Sequence, residues 1–578
     1  MLPSDSRTPQ STKFRINRLG LAWLVLTLSA VAAILTVRYL AVDRDFAIAN
    51  QVSYGIFLLL VLMTLGFMFA ASLFRWAAGG VLLIGLAAGV FFFLYRWERL
   101  DGELRPRFTW RWAPEPALPQ PEDAAVGMAD VLSTMLLPRS TDSPRFLGPN
   151  RNATWPNMNL STDWGTEAPR IVWKQAIGEG WSSFAVQGTV AVTMEQRADE
   201  EWVSAYSVDD GQMLWNYVIP GRYASAVAGN GPRCTPAIED GCVYACSAIS
   251  DFVCLDLSSG ALLWSKDLNS LAGTDRSSME SEVNWGRSAS PLIHGDAVII
   301  AMGGTGQQRD SLVCFDRKSG EELWRSGGEQ ISYSSPALLA IQECLQLVYV
   351  SASSISGFDP EGGRRLWRVE FEGLSGAPNV AQPMAIDEQH IFFSKGYGIG
   401  SVMIRVGQAT ADTALATESG PSVGPSVGRS VGPSVGSSND SAWSAEIVAQ
   451  NSNVLRTKFT NPLLYEDHLY GLSDGILECI DVGGLERRWK RGRYRHGQLL
   501  RLGKHLLVFS EDGRLVLVDA DPNVHREVAQ FQVLDNVCWN LPALTGNRLL
   551  VRNARELACV QLPLQADSNK ESTGSLQR

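Results

Sequence analysis

Twelve residues stand just before or within one recurring phrase, and they offer the chain's best material for ligand chemistry. They are Arg233, Arg287, Tyr333, Asn379, Gln382, Lys458, Asn461, Arg495, His496, Gln498, Trp539 and Asn540. Trp181 holds the matching place at the first copy. Arg and Lys bring positive charge, Asn and Gln bring amide donors, and Tyr and Trp bring flat faces. Gathered in one funnel, they would create a local positive field on a chain whose net charge is −10. Such a field suits a small anionic, planar or carboxylate-bearing ligand, gripped by Arg forks and aromatic faces, or the matching surface of a protein partner.

Other chemistries find no pattern. The six histidines, His294, His390, His468, His496, His505 and His525, are scattered without metal-ligand spacing. No G-x-S-x-G, P-loop or dinucleotide fingerprint occurs in a strand-to-helix context. The Gly-rich Gly303–Gly306 lies between strands and reads as a loop. Nine cysteines include no adjacent pair and no matched C-x-x-C pairs, so neither a disulfide framework nor structural zinc is expected. No catalytic residue and no metal ligand is assigned. Sixty acidic against fifty basic residues argues against a general nucleic-acid binder, which needs a basic surface.

A repeat must position the twelve. Tryptophans recur at Trp173, Trp215, Trp264, Trp324, Trp367, Trp443 and Trp489. Their spacings run from 42 to 60 residues, apart from one of 76. That gap holds GPSVGPSVGRSVGPSVG at Gly420–Gly436, the heart of a low-complexity insertion at about 407–441. Before the Trp stand YSVDDGQMLW, LDLSSGALLW, FDRKSGEELW, FDPEGGRRLW and IDVGGLERRW. An alternating strand ends at Asp, a Gly turn follows, and the next strand opens at Leu-Trp. The seven indoles are expected to dock one small sheet on the next. A second phrase has eight copies: SSFAV at Ser182, CTPAI at Cys234, ASPLI at Ala289, SSPAL at Ser334, AQPMA at Ala381, TNPLL at Thr460, GQLLR at Gly497 and NLPAL at Asn540. Eight units of about four strands predict an all-β, eight-bladed β-propeller over 145–564, with its innermost strands opening at these phrases. The polar tail 565–578 follows.

Three apolar runs open the chain: Leu19–Val37, Tyr54–Phe74 and Trp76–Tyr95, of 19, 21 and 20 residues. Each matches the ~20 residues that cross a bilayer as a helix, so three transmembrane helices are expected. Arg7, Lys13, Arg15 and Arg18 put the tail 1–18 in the cytoplasm, and an odd number of crossings exports the propeller to the periplasmic side of the inner membrane. Arg96, Arg99, Arg105, Arg107 and Arg111 weigh against that orientation. Residues 96–144 read as a Pro-rich linker with a short helix at Ala124–Leu137, and WRWAP at Trp110–Pro114 suits the headgroup level.

The D-x-x-(S/G)-G-x-x-LW phrase resembles the tryptophan-docking motif of the pyrroloquinoline-quinone (PQQ) propeller superfamily. That superfamily includes quinoprotein alcohol and glucose dehydrogenases and the non-enzymatic lipoprotein scaffold of the outer-membrane barrel-assembly machinery. FLGPNRNA at Phe146–Ala153 looks like the FRGPNRxG entry phrase of membrane-anchored PQQ-like propellers, as do WERLDGELRPRFTWRW and GRYRHGQLL. The resemblance covers about three quarters of the chain and implies two functions. The first is a non-catalytic, membrane-anchored binding or scaffold module of the cell envelope, with no cofactor. The alternative is a quinoprotein oxidoreductase using PQQ and Ca²⁺ and passing electrons to membrane quinone. Against the alternative, the chain lacks the vicinal Cys-Cys, an acidic cluster at the inner phrases and a haem-attachment C-x-x-C-H. One propeller fold hosts unrelated tasks, so fold alone does not choose between them.

Overall fold

The computed structural model describes residues 18–42, 44–70, 74–114, 116–121, 134–225, 228–306, 308–371, 373–408 and 443–565. The N-terminal tail, most of the low-complexity insertion, most of the helix expected at Ala124–Leu137 and the tail beyond 565 lie outside the described residues. The chain forms two compact units, Met1–Pro114 and Glu115–Arg578.

The first unit holds α1 (Arg18–Leu40), α2 (Phe46–Ala70) and α3 (Phe74–Leu94), then an antiparallel hairpin of β1 (Tyr95–Leu100) and β2 (Pro106–Trp110). Two helical stretches, Gly20–Leu40 and Phe46–Met68, are long and apolar enough to cross a membrane. Among the described residues there are two such helices, not the three expected. The described apolar stretch of α3, Ala78–Leu94, is shorter, and the chain passes from α3 into β1 at Tyr95. On α1, Trp23 Nε1 donates to Thr64 Oγ1 of α2 at 3.1 Å. The hairpin also replaces the start of the expected linker. Tyr95-Arg-Trp and Phe108-Thr-Trp pair strand to strand, with Tyr95 opposite Trp110 and Trp97 opposite Phe108. Asp101 Oδ1 closes the turn by accepting from the Glu103 and Arg105 amides at 3.0 and 2.9 Å. Arg111 caps the end of α3, with Nε donating to Phe93 O and Nη2 to Phe92 O.

The second unit is the eight-bladed β-propeller. Blades I to VI run in chain order from Ala185–Pro220, Ala237–Asp267, Leu292–Ser326, Ala337–Val369, Met384–Asn451 and Leu463–Arg493, each four antiparallel strands. Blade VII (Gln498–Gln532) gains a fifth strand, Thr154–Trp155, parallel to its inner strand. Blade VIII closes the ring. Its inner three strands come from Ala543–Gln561, and its outer strand is Arg170–Ala176 from the start of the propeller, paired with Glu556–Gln561. Pairing the two ends of the array closes the ring, leaving only the short outer edges of the blades. The middle strands are largely buried, as at Val298–Met302 and Leu515–Val518. Blade-to-blade packing therefore forms apolar clusters that each span neighbouring blades.

The Trp-docking geometry follows from the repeat. Trp173, Trp215, Trp264 and Trp489 donate their indole N–H to Val208 O, Leu257 O, Arg317 O and Asp521 O, each in the turn of the next blade, at 2.8–3.1 Å. Gly211, Gly260, Gly320 and Gly363 hold φ between +69 and +80°, and a Cβ there would come within 2.5–2.9 Å of Trp173, Trp215, Trp264 and Trp324. Glycine thus supplies both the left-handed turn and the seat for the indole. The preceding Asp shapes the turn: Asp256 accepts from Ser258 and Ser259, and Asp316 from Lys318 and Ser319. Buried Cys559, Cys254, Cys314 and Cys479 sit opposite Trp173, Trp264, Trp324 and Trp489 in the strand register.

Trp443 is a correction. It pairs with Gln408 at the start of the outer strand of blade V, and the docking position there, opposite Met403, is held by Ala449. In sequence the insertion stands where other copies carry the Asp-Gly turn, and the described outer strand of blade V begins at Trp443. Trp367 departs too, seating its indole against Gly357 of its own blade.

Candidate functional site

The eight inner phrases meet at the propeller axis around a cavity of ≈ 180 Å³. The residue just before the phrase proline lines it in every copy that has one: Thr235, Ser290, Ser335, Gln382, Asn461 and Leu541. Ser183 and Gln498 fill the same place in the two copies without proline. These residues form a hydrogen-bonded belt. The backbone N–H of Ser183 donates to Thr235 Oγ1 (3.3 Å), that of Thr235 to Ser290 Oγ (3.0 Å), and that of Ser290 to Ser335 Oγ (2.8 Å). Ser335 N–H donates to Gln382 Oε1 (3.1 Å), and Gln382 N–H to Asn461 Oδ1 (2.7 Å). Ser183 Oγ donates to Leu541 O, which joins blade I to blade VIII. An inner strand leaves its first amide without a ladder partner, and a short side chain from the next blade satisfies it.

Aromatic rings wall the cavity. Trp181 and Trp539 stand 4.7 Å apart, Phe459 lies 5.1 Å from Trp539, and Trp285 lies 5.2 Å from Tyr333. The Trp285 amide donates to the Tyr333 hydroxyl at 3.2 Å. Burial pushes the Tyr333 phenol up to about 12, so it stays protonated. Phe146 reaches the cavity from the FLGPNRNA segment. That segment is pinned by Arg151, whose Nη1 and Nη2 donate to Pro291 O and Pro336 O at 3.0 and 3.1 Å. Burial, with Arg145 nearby, lowers Arg151 to about 9. Leu147, Asn150, Arg151 and Asn152 line a second cavity of ≈ 180 Å³, and Gln382 and Asn461 border both.

Arg233 is the cation of the axial cavity. Its Nη1 donates to Gly231 O (2.7 Å), and its Nη2 to Ala228 O (2.7 Å) and Gly229 O (2.9 Å). Its guanidinium lies 5.0 Å from the Tyr223 ring centre. Burial lowers its pKa, opposed by Tyr223, Glu201 and Tyr333.

Of the twelve residues singled out in the sequence, the structure brings six to the cavity: Arg233, Tyr333, Gln382, Asn461, Gln498 and Trp539, with Trp181 beside them. The other six turn away. Arg287 is buried and braces Ala301 O, Met302 O and Asn269 Oδ1. Asn379 donates to Ser351 O, and Asn540 to Ser182 O. His496 is buried, with its backbone amide on Glu511 Oε2. Lys458 Nζ lies 5.6 Å from the Tyr397 ring centre. Arg495 takes a left-handed backbone, φ 55°, packed against Gly475. Buried carbonyl and amide oxygens need donors, and Arg287, Asn379 and Asn540 meet that need. Trp285, Phe459 and the hydroxyls of the belt were the missed lining residues. Position was their signal: Thr235, Ser290 and Ser335 directly precede prolines.

PQQ, which the resemblance implies, is a fused-ring tricarboxylate. An apolar cavity of ~150 Å³ holds a single benzene ring, so ≈ 180 Å³ is small for PQQ. Arg233 is the one cation among the described lining residues, against three carboxylates. Among the described residues no group of three or more His, Cys, Asp or Glu is arranged to hold a metal ion. The residues of this site do not fit PQQ with Ca²⁺.

A family model described as outer membrane protein assembly factor BamB matches residues 171–277 and 199–522. The crystal structure of BamB from Moraxella catarrhalis is 15% identical, with a TM-score of 0.44 over 69% of this chain and 99% of that one. Quinohemoprotein alcohol dehydrogenase from Comamonas testosteroni is 12% identical, with a TM-score of 0.49 over 76% of this chain and 83% of that one. Structural likenesses at these levels are similarities of fold and carry no argument about function. No curated protein matches in sequence. The residues matched by the family model make up more than half of the chain and take in blades I to VI with most of blade VII, so this chain belongs to the BamB family of β-propellers.

Proposed function

We propose that this protein is a membrane-anchored, non-catalytic binding or scaffold module of the cell envelope, recognising a small anionic ligand or a protein partner at its propeller axis. The observation that carries this reading is the chemistry of the axial cavity. Its described lining includes no Asp, Glu, His, Cys or Lys, and so no carboxylate, imidazole, thiol or amine to act as a base. It offers aromatic faces, hydroxyls and amides held in place by the belt, which is the make-up of a recognition site. Membership of a family described by an assembly factor supports a scaffold role. The stretches Gly20–Leu40 and Phe46–Met68 support anchoring, with large side chains such as Leu35 and Phe57 facing outward.

The test is direct. The full chain, purified in detergent and incubated with PQQ and Ca²⁺, should reduce no artificial electron acceptor with alcohols or aldoses and should acquire no cofactor absorbance. Turnover would overturn the proposal in favour of a quinoprotein oxidoreductase feeding membrane quinone. Placement of the propeller at the periplasmic face needs a third crossing by α3, whereas two crossings return it to the face of the basic N-terminal residues. An export-dependent reporter fused after Gln565 reads the difference, being active only in the first arrangement.

A further inference from the structure

We infer that the axial cavity is a site for a single aromatic ring bearing one carboxylate. This rests on the binding-module reading and names its ligand class. The argument begins with the direction of the belt. At Thr235, Ser335 and Asn461 the side-chain oxygen already accepts a backbone N–H from the preceding blade. A hydroxyl or amide whose oxygen is so engaged turns its protons outward as donors. No acceptor for the Thr235 and Ser335 hydroxyl protons or the Asn461 Nδ2 protons is present among the described residues, and all three residues line the cavity.

Arg233 adds to that set. Three of its N–H groups are held by Ala228, Gly229 and Gly231 carbonyls, which fix the guanidinium and leave Nε–H and one Nη1–H without an acceptor among the described residues. The buried Trp539 Nε1–H likewise has no acceptor there. Buried donors without acceptors are costly, and an anionic oxygen satisfies several at once. Gln498 is the exception that limits the anion to one. Its Nε2 donates to Phe459 O and Trp539 O, which leaves an amide oxygen rather than a donor on that side.

Size and walls select the rest of the ligand. A ring occupies ~150 Å³ by comparison with a benzene-binding cavity, and a carboxylate adds about the ~30 Å³ of a water. Together they match ≈ 180 Å³. Arg233, Thr235 and Ser335 come from the blade II to IV side of the ring and Asn461 from blade VI across from them, so the donors face into the cavity from both sides. Trp181 and Trp539, which open blades I and VIII, offer a flat face for the ring. A free aromatic acid and the C-terminal Phe of a peptide present the same chemistry.

The experiment titrates the full chain in detergent with phenylacetate and with phenylacetamide, following tryptophan fluorescence and binding heat. Phenylacetate should bind, and the amide at least tenfold more weakly. Asn461→Asp keeps an oxygen for the Gln382 amide but points negative charge at the ligand, so it should weaken phenylacetate at least tenfold with an unchanged thermal midpoint. Arg233→Gln should weaken it similarly, but it also loosens the Ala228–Gly231 loop, which is why Asn461→Asp is the decisive variant. A peptide ending in Phe with a free carboxylate, against its amidated form, identifies the source; binding of either acid supports the inference. Equal binding of acid and amide, binding of neither acid, or parent-like binding by Asn461→Asp would overturn it. These outcomes are separate from PQQ turnover, which would instead overturn the non-catalytic reading.

Discussion

The Trp367 indole donates to Gln346 Oε1 at 2.7 Å within its own blade, where the other hydrogen-bonded docking indoles reach into the next. In sequence blade V carries the insertion where the other copies have the Asp-Gly turn phrase, and the fully buried Gln346 supplies the acceptor for Trp367. Gln346→Leu should leave the indole N–H unpaired and destabilise the propeller by about 1–3 kcal/mol. Urea unfolding followed by fluorescence measures the shift. An unchanged midpoint would mean that the bond contributes nothing.

Gly260 tests the docking geometry. Its φ of +70° and the 2.5 Å that would separate a Cβ from Trp215 Cε3 leave no room for alanine. Gly260→Ala should cost about 1–3 kcal/mol through backbone strain and overpacking, and Trp215→Ala about 3–5 kcal/mol through the cavity it leaves. Thermal melts of both variants check the order. A Gly260→Ala protein as stable as the parent would contradict the seat.

Glu201 predicts a pH dependence. It is buried in blade I, its Oε2 accepts from the Ala248 amide at 2.9 Å, and its Oε1 has no partner among the described residues. Burial raises its carboxyl from 4.5 to about 7. A folded value above the unfolded one favours the protonated form, so this contribution is complete below pH 4.5 and is lost as pH rises through 7. At ~1.4 kcal/mol per pH unit the loss approaches about 3 kcal/mol. Glu201→Gln should match the parent near pH 4 and exceed its stability above pH 7. Denaturation at pH 4, 6 and 8 reads this, and a difference independent of pH would refute it.

Arg151 ties the FLGPNRNA segment to blades III and IV through Pro291 O and Pro336 O. Arg151→Ala should remove about 2–3 kcal/mol and speed hydrogen exchange across Leu147–Ala153 while leaving the strands of blade III protected. Mass spectrometry of exchanged peptides measures both. Uniform loss of protection would place Arg151 in the global fold rather than in this anchor.

Much of the architecture was legible in the residues because its determinants are local. Asp256, Gly260 and Trp264 lie within nine residues of one another, so the turn and the docking indole can be read from one phrase and counted along the chain. The apolar runs were legible for the same reason, although where α3 gives way to a strand depended on Tyr95–Trp110 pairing with itself. The cavity was not local. Side chains from eight blades, up to 358 residues apart in the bond from Ser183 to Leu541, converge only when Arg170–Ala176 completes the eighth sheet. Sequence marked the entry phrases but not which side chain of each faces the axis. Arg287 and Ser290 sit three residues apart in one phrase, yet Arg287 turns to buried carbonyls and Ser290 joins the belt. Strand direction and the unmet donors and acceptors of neighbouring blades made that choice, and those exist only in the closed ring.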